Sequence, residues 1–122
     1  MLSYNALVAA DLLLIPVQPG VGAITGLDSL LRAAAEVRNE EVADLHYRIL
    51  TTMFEIRTSR TNALAAELLG EHRAKLLRTV ISKSESLNQA NLAGCPVVDY
   101  ASSSRGAKEY DTLCEEVCRL RI

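Results

Sequence analysis

A continuous apolar run near the start of the chain is the feature that most restricts its fold. Leu12–Val17 reads Leu-Leu-Leu-Ile-Pro-Val, so polar side chains do not alternate with apolar ones. A strand with one face in water shows that alternation, whereas a strand buried on both faces of a parallel sheet does not. Pro16 and then Pro19-Gly20 end the strand. The run therefore predicts an α/β fold built on a parallel sheet.

The segments around this run alternate between predicted helix and predicted strand. Helices are predicted over Leu2–Ala10 and over Ala23–Arg38, and the second has apolar residues at three- and four-residue spacing. Strands are predicted over Leu45–Met53, which is rich in β-forming residues, and over Lys75–Ile81. Strands that alternate with helices indicate a parallel sheet with right-handed crossovers and helices on both faces.

The remaining connections are predicted from caps and helix-breaking residues. Glu55–Ser59 is predicted to be a loop, followed by a capped helix that ends near Leu69. After the third strand, a short helix is predicted over Ser84–Leu92 and a brief strand at Val97-Val98.

The last helix is predicted to begin near Ser103 or Ser104 and to bury one stripe of side chains. The stripe consists of Ala107, Tyr110, Leu113, Cys114, Val117 and Leu120. Cys114 and Cys118 share a face of this helix because they are four residues apart. With Cys95 as the third cysteine and no metal-ligand spacing, the thiols are interpreted as helix-face side chains. The missing disulfide framework fits a reducing cytoplasm.

Charge and length limit the class of protein. The chain has 122 residues and a net charge of −2, which fits one small domain and does not resemble a general nucleic-acid binder. The apolar start Leu7–Val17 is too short to cross a bilayer, and Asp11 and Pro16 interrupt it. No membrane association is therefore expected.

Several short segments, in order along the chain, carry a resemblance to a known family. They are Asn5-Ala6-Leu7, Ala9-Ala10-Asp11, Ile15-Pro16-Val17-Gln18, Gly26-Leu27, Leu50-Thr51-Thr52-Met53-Phe54, Arg57-Thr58, Thr79-Val80-Ile81, Gly94-Cys95-Pro96-Val97 and Ser104-Arg105-Gly106-Ala107. In this order and spacing, they resemble the ParA/Soj branch of the ParA/MinD deviant P-loop ATPases. The resemblance implies that residues 1–122 form a single partial domain, the C-terminal half of a three-layer P-loop NTPase-like domain.

The phosphate-binding loop of that family is not found in this sequence. In the family, the lysine-containing loop and the switch aspartates precede the Asn-Ala-Leu helix, and no G-x-x-x-x-G-K-[ST] pattern occurs here. Gly20–Gly26 has three glycines but no lysine or hydroxyl at the needed spacing, so it is interpreted as a strand-to-helix turn. The chain alone is therefore expected to be inactive as an ATPase and not to bind ATP or Mg²⁺ tightly.

The resemblance implies a nucleotide-binding role for six residues at the ends of strands. These are Pro16, Gln18, Thr52, Met53, Ser82 and Lys83. The first two would lie beside the nucleotide at the end of a central strand. The other four would flank the adenine, where a soft methionine face suits a purine. Two alternatives stay open, namely Gln18 as a solvated side chain and Met53 as part of the core.

The same resemblance implies that Arg57 and Lys83 bind DNA. Arginine suits phosphate because it donates two parallel hydrogen bonds. At a second basic position of the family this chain has Ser86, beside Glu85. Arg105 is interpreted as a loop arginine that satisfies local carbonyl groups, with DNA or partner contact as the alternative.

The sequence leaves three functions open. The first is part of a ParA-like ATPase for plasmid or chromosome partitioning. In such a protein a homodimer holds ATP and Mg²⁺ and binds nonspecific DNA, a ParB-like centromere-binding protein stimulates hydrolysis, and the location is cytoplasmic and nucleoid-associated. The second is a truncated, non-catalytic DNA- or protein-binding module. The third is a MinD-like membrane-cycling ATPase, which the lack of a basic and apolar C-terminal extension disfavours.

One physical consequence of the resemblance concerns the first strand. In the family the phosphate-loop strand pairs beside the strand that corresponds to Leu12–Val17. Without that neighbour, the strand would present an unpaired apolar edge, and such edges favour self-association.

Overall fold

The computed structural model describes residues 2–20, 22–55 and 69–120, and in these ranges the chain forms three strands and five α-helices. In chain order they are α1 (Leu2–Ala9), β1 (Leu13–Val17), α2 (Ala23–Arg38), β2 (Tyr47–Phe54), β3 (Leu76–Ser82), α3 (Glu85–Ala93), α4 (Val97–Tyr100) and α5 (Arg105–Cys118). Short 3₁₀ turns at Val42–Asp44 and Leu69–Lys75 lead into β2 and β3. The helix that the sequence predicts between the second and third strands lies outside the described residues.

The sheet has the order β1-β2-β3, and both strand pairs are parallel. β1 pairs with β2 in continuous register, from Leu13 opposite Tyr47 to Val17 opposite Thr51. The predicted α/β class is therefore confirmed. Because the strands are parallel, their carboxyl ends lie at one end of the sheet, where ligands bind in such folds.

One face of the sheet packs against α2. Ile15 and Ile49 form a buried cluster with Leu27 and Leu31 of that helix. The last two recur at a helical spacing of four residues, so the amphipathic pattern of the sequence becomes the contact surface. Complete burial of one such side chain contributes about 1.5–3 kcal/mol.

The opposite face of the sheet packs against α5. Leu50 follows Ile49 directly in β2 and therefore points to the other face. It is buried in a second cluster with Leu77, Ile81 and Leu113, the last of which lies on α5. Helices thus cover both faces, as the sequence predicts.

Two irregularities interrupt the pairing of β2 with β3. Ile49 pairs with Leu76 and Thr51 with Val80, so β3 holds two extra residues between these pairs. Between Thr51 and Phe54 the extra residue lies in β2 instead, because Thr51 pairs with Val80 and Phe54 pairs with Ser82. Bulges of this kind re-aim side chains and often lie near functional sites.

The predicted strand at Val97-Val98 is wrong, because these residues begin α4. The amide of Tyr100 donates to the carbonyl oxygen of Pro96 at 2.9 Å, and that of Ala101 to Val97 at 2.8 Å. Pro96 has a φ of −62°, a value that suits entry into a helix, and its missing N–H is one that a helix leaves unpaired. The β-forming preference of two valines is weaker than the preference of Pro96 for the start of a helix.

The predicted stripe of α5 is partly wrong. Ala107 and Leu113 are buried, and Val117 packs against the second cluster. Tyr110 and Cys114, however, are exposed. The strand residues in the buried cluster beneath α5 come from β2 and β3, and this cluster covers a narrower stripe of the helix than the sequence pattern predicts.

α1 has no buried residue and is held at its end by α2. Arg38 donates from Nη1 to the carbonyl oxygens of Leu7 and Ala10, both at 2.9 Å. A cation at the carboxyl end of a helix satisfies carbonyl groups that lack a helical partner and opposes the helix dipole. α1 is therefore anchored by the hydrogen bonds of one arginine and by Leu7, which is partly buried against the cluster around Ile15 and Ile49.

Candidate functional site

A polar cleft lies at the carboxyl ends of β2 and β3. It has a volume of ≈ 350 Å³, and its lining includes Phe54, Glu55, Ser82, Lys83 and Arg105. The backbone closes its floor, since the amide of Lys83 donates to the carbonyl oxygen of Phe54 at 3.0 Å. Ser82 and Lys83, two of the residues predicted to bind nucleotide, line this cleft.

Met53 lies in the β2 bulge beside this cleft. Its φ of 55° is left-handed, a conformation that costs a non-glycine residue about 1–3 kcal/mol. The side chain is 45% exposed, so the alternative that placed it in the core is wrong. The bulge turns a long, soft side chain toward solvent at the strand end, and Thr52 next to it is half-buried.

A second cavity lies at the carboxyl end of β1. Its volume is ≈ 230 Å³, and it is lined by Pro16 and Gln18 together with Gly22 and Gly26 of the following turn and helix. Pro16 and Gln18 are both exposed. Parallel pairing places this cavity at the same end of the sheet as the polar cleft.

Lys83 is the lysine of the polar cleft, and a carboxylate neutralises it. Its Nζ lies 3.0 Å from Oε1 of Glu55. An exposed ion pair of this type adds only about 0–1 kcal/mol to stability. The ion pair matters more for phosphate binding than for stability, because a paired ammonium group attracts a phosphate less strongly than a free one.

Ser82 is held by a residue that sequence reasoning missed. The amide and the hydroxyl of Ser82 donate to the two carboxylate oxygens of Glu109 at 3.1 and 3.0 Å. Glu109 lies on α5, so that helix fixes the turn that follows β3. The available signal was the seven-residue spacing of Glu109 and Glu116, which places both on one helix face.

Glu116 binds the bulged part of β3 in a similar way. It accepts hydrogen bonds from the amides of Arg78 and Thr79 at 2.8 and 2.9 Å and from Oγ1 of Thr79 at 2.6 Å. Partial burial raises the pKa of Glu116, but these hydrogen bonds and the charge of Arg78 outweigh it. The pKa therefore lies below its ordinary value.

Arg105 is the first residue of α5, and the predicted loop setting is wrong. The hydroxyl of Ser104 caps the helix by accepting from the amide of Ala107 at 3.2 Å. Within the described parts of the chain, Arg105 makes no hydrogen bond to a carbonyl group, and its side chain is exposed at the cleft. The guanidinium of Arg105, which has no partner among the described residues, therefore borders the cleft.

Arg57, the other residue predicted to bind DNA, lies outside the described residues, so its position relative to Lys83 is not defined. Ser86 lies in the first turn of α3, next to the exposed Glu85.

Among residues 2–20, 22–55 and 69–120, no group of three or more His, Cys, Asp or Glu side chains is arranged to hold a metal ion. In the same ranges, no helix is both long and apolar enough to cross a membrane.

Comparison with known proteins identifies relatives over nearly the whole sequence, although no protein-family model matches. The chain is 36% identical over 118 residues to the sporulation initiation inhibitor protein Soj of Bacillus subtilis, which covers 96% of this chain and 47% of that protein. It is 36% identical over 121 residues to the chromosome-partitioning ATPase Soj of Thermus thermophilus, covering 95% and 47%. Identity to the chromosome partitioning protein ParA of Myxococcus xanthus is 29% over 120 residues, covering 98% and 42%.

The chain thus spans about half the length of the curated relatives it matches. The matches agree with the order of short motifs in the sequence and with the parallel α/β architecture. By sequence and fold, the chain matches a C-terminal portion of ParA/Soj-type partition proteins.

Proposed function

We propose that the chain supplies the base-binding wall of the nucleotide site in a ParA/Soj-type partition ATPase. The observation that carries this proposal is the polar cleft where β2 and β3 end. Its volume of ≈ 350 Å³ is large enough for a purine, since small-molecule sites begin near 300 Å³. The reaction is inferred from relatives such as the Thermus thermophilus protein, which is named an ATPase.

The side chains around the cleft suit a base better than they suit phosphates. Met53 and Thr52 directly precede Phe54, a lining residue of the cleft. Met53 offers a soft, polarizable face to a base, and the hydroxyl of Thr52 offers a hydrogen-bonding group. Glu55 and Glu85 line the same cleft and offset the charges of Lys83 and Arg105, so the cleft has no excess positive charge for a triphosphate. We infer that the triphosphate and Mg²⁺, which neutralises phosphate charge when bound, are held by parts of the protein outside these 122 residues.

In the complete protein we propose ATP-dependent dimerisation, nonspecific DNA binding and stimulation by a ParB-like partner, on the nucleoid in the cytoplasm. The word "partitioning" in the names of the relatives supports this role. Arg57 and Lys83 stay the proposed DNA contacts. Because Lys83 is paired with Glu55, Arg105 is a further candidate, since its guanidinium has no hydrogen-bond or ion-pair partner among the described residues.

A non-catalytic binding module is the second candidate, and one observation favours it. Leu14 and Pro16 on β1 are exposed, so part of an apolar strand is available to another chain. This candidate predicts partner binding without any affinity for nucleotides.

The test joins the first half of the Bacillus subtilis Soj protein to this chain and measures binding of ATP with Mg²⁺ by calorimetry. The joined protein should bind, and Met53→Asp should weaken binding about 10-fold by placing a charge against the base. Leu92→Asp is the control, since Leu92 is 88% exposed on α3, whereas Met53 lies in β2 next to the lining residue Phe54. A folded joined protein that does not bind ATP, or whose Met53→Asp variant binds as tightly, would favour the binding module.

A further inference from the structure

The contact between α3 and α5 contains a glycine that the proposed function does not use. Gly106 is the second residue of α5 and is buried. Glycine is a poorer helix former than alanine, so a glycine inside a helix usually has a packing reason. A Cβ atom at Gly106 would lie 3.0 Å from both Cγ and Cδ2 of Leu87, which belongs to α3. The missing side chain therefore lets the two helices approach each other.

This close approach distinguishes Gly106 from the other glycines of the chain. At each of the others, a Cβ atom would have no neighbour within 4 Å among the described residues. A distance of 3.0 Å is shorter than the optimal separation of about 3.5–4.0 Å between carbon atoms. Leu87 has little room to move, because its partly buried side chain packs against the cluster of Leu50, Leu77, Ile81 and Leu113. An alanine at position 106 would therefore displace Leu87 or the helix that carries it.

The contact lies next to the polar cleft at the ends of β2 and β3. Arg105 lines this cleft from α5, and Asn88 lines it from α3. Arg105 directly precedes Gly106, and Asn88 directly follows Leu87. The contact of Gly106 with Leu87 therefore determines how far apart the two helices hold their lining side chains.

We propose that Gly106 is a positioning residue that sets the width of the polar cleft for the base. The inference rests on the proposed function of that cleft, to which Gly106 contributes no side chain. A methyl group at position 106 moves Leu87, and with it α3, away from α5 by a few tenths of an ångström. Arg105 and Asn88 then lie farther apart, so the cleft fits a flat base less closely.

The test measures binding of ATP with Mg²⁺ by calorimetry in the protein that joins the first half of the Bacillus subtilis Soj protein to this chain. Gly106→Ala should weaken binding about 5-fold, because the new methyl group overfills the contact and widens the cleft. Gly70→Ala is the matched control, since Gly70 lies in the turn before β3 and has open space at its Cβ position among the described residues. It should bind as the unsubstituted protein does. Unaltered binding in Gly106→Ala would overturn the inference.

A double variant separates positioning from stability. Leu87→Ala removes the side chain that the new methyl group meets, so Gly106→Ala should have no effect on ATP affinity in this background. Leu87→Ala also removes apolar contacts of the second cluster, so the double variant should unfold at a lower urea concentration than the unsubstituted protein. An equal loss of affinity on Gly106→Ala in both backgrounds would overturn the inference, because Leu87 would not be its cause.

The unsubstituted joined protein distinguishes failure of this inference from failure of the proposed function. If it folds and does not bind ATP, the proposed function of the cleft is wrong, and this inference is wrong with it. If it binds ATP and Gly106→Ala binds equally well, this inference alone is wrong.

Discussion

The two edges of the sheet differ in how their backbone groups are satisfied. At the β3 edge, α5 places Glu116 against the amides of Arg78 and Thr79, and Glu109 against that of Ser82. The β1 edge has no such cover in the described part of the chain, and Leu14 there is 40% exposed. A helix of the chain thus closes one edge, and the other stays available.

The register of β1 shows which groups face outward. The amide of Leu13 donates to the carbonyl oxygen of His46 at 2.9 Å, so odd-numbered residues bond toward β2. Leu14 and Pro16 therefore direct their backbone groups to the open side. Pro16 lacks an N–H, and proline is tolerated where the N–H would face away from a partner strand.

The two edges also differ in whether a further strand can pair with them. A carboxylate that occupies strand amides prevents a further strand from pairing, which is one way that proteins protect sheet edges. We expect added strands at β1 and not at β3.

The largest effect is expected at Glu116. Glu116→Ala leaves two amides and one hydroxyl without their acceptor, and we expect the free energy of unfolding to fall by about 3 kcal/mol. Urea denaturation measures this change. Glu115→Ala, at the exposed neighbouring position, should change it by less than about 0.5 kcal/mol. Equal losses in the two variants would contradict the closed β3 edge.

A smaller effect on stability is expected at Glu109, and a substitution of Ser82, its hydrogen-bond partner, tests the cause. Glu109→Ala should lower the free energy of unfolding by about 1–2 kcal/mol, because the amide and hydroxyl of Ser82 lose their acceptor. In a Ser82→Pro background both donors are absent, so the same substitution should cost less than about 0.5 kcal/mol. A full cost in both backgrounds would show that Glu109 acts through other contacts.

The pH dependence of stability should reveal the same carboxylate network. The lowered pKa of Glu116 means that its contribution is complete above the ordinary glutamate value of 4.5. The contribution is lost as the pH falls through the lower, folded-state pKa. The difference in unfolding free energy between the wild type and Glu116→Gln should therefore shrink below about pH 4.5. A difference that stays constant down to pH 2 would argue against an ionised Glu116.

The smallest effect on stability is expected at the open edge. Leu14→Lys should change the free energy of unfolding by less than about 0.5 kcal/mol, yet it should weaken self-association, because a lysine on an edge strand opposes pairing. Sedimentation over a concentration series measures this. Leu92→Lys alters an apolar residue that is more exposed and is the matched control. A wild-type chain that is monomeric throughout the series would contradict the prediction.

Features set by local sequence were predictable. The apolar run became β1, and the periodic segment Ala23–Arg38 became α2 with the predicted bounds. The start of α5 near Ser104 was also predicted, and the side chain of Ser104 caps this helix. The contacts of Glu109 and Glu116 were missed, since they join residues 27 to 38 positions apart and depend on how α5 packs.

The candidate site shows the same contrast between features set by local sequence and features set by long-range packing. The resemblance located Ser82 and Lys83, and the parallel strands bring them to one end of the sheet. The left-handed Met53 was not predictable, because its conformation arises from the mismatch of extra residues between β2 and β3. Pairing of Lys83 with Glu55 likewise depends on how two turns meet.

Hydrogen exchange at single amides compares the two edges most directly. The measurement uses the 122-residue chain at concentrations where sedimentation finds a monomer. The Thr79 amide, bonded to Glu116, should exchange at least about 100-fold more slowly than the Leu14 amide, which faces the open side. Equal protection of Leu14 and Thr79 in the monomer would contradict the claim that only the β3 edge is closed.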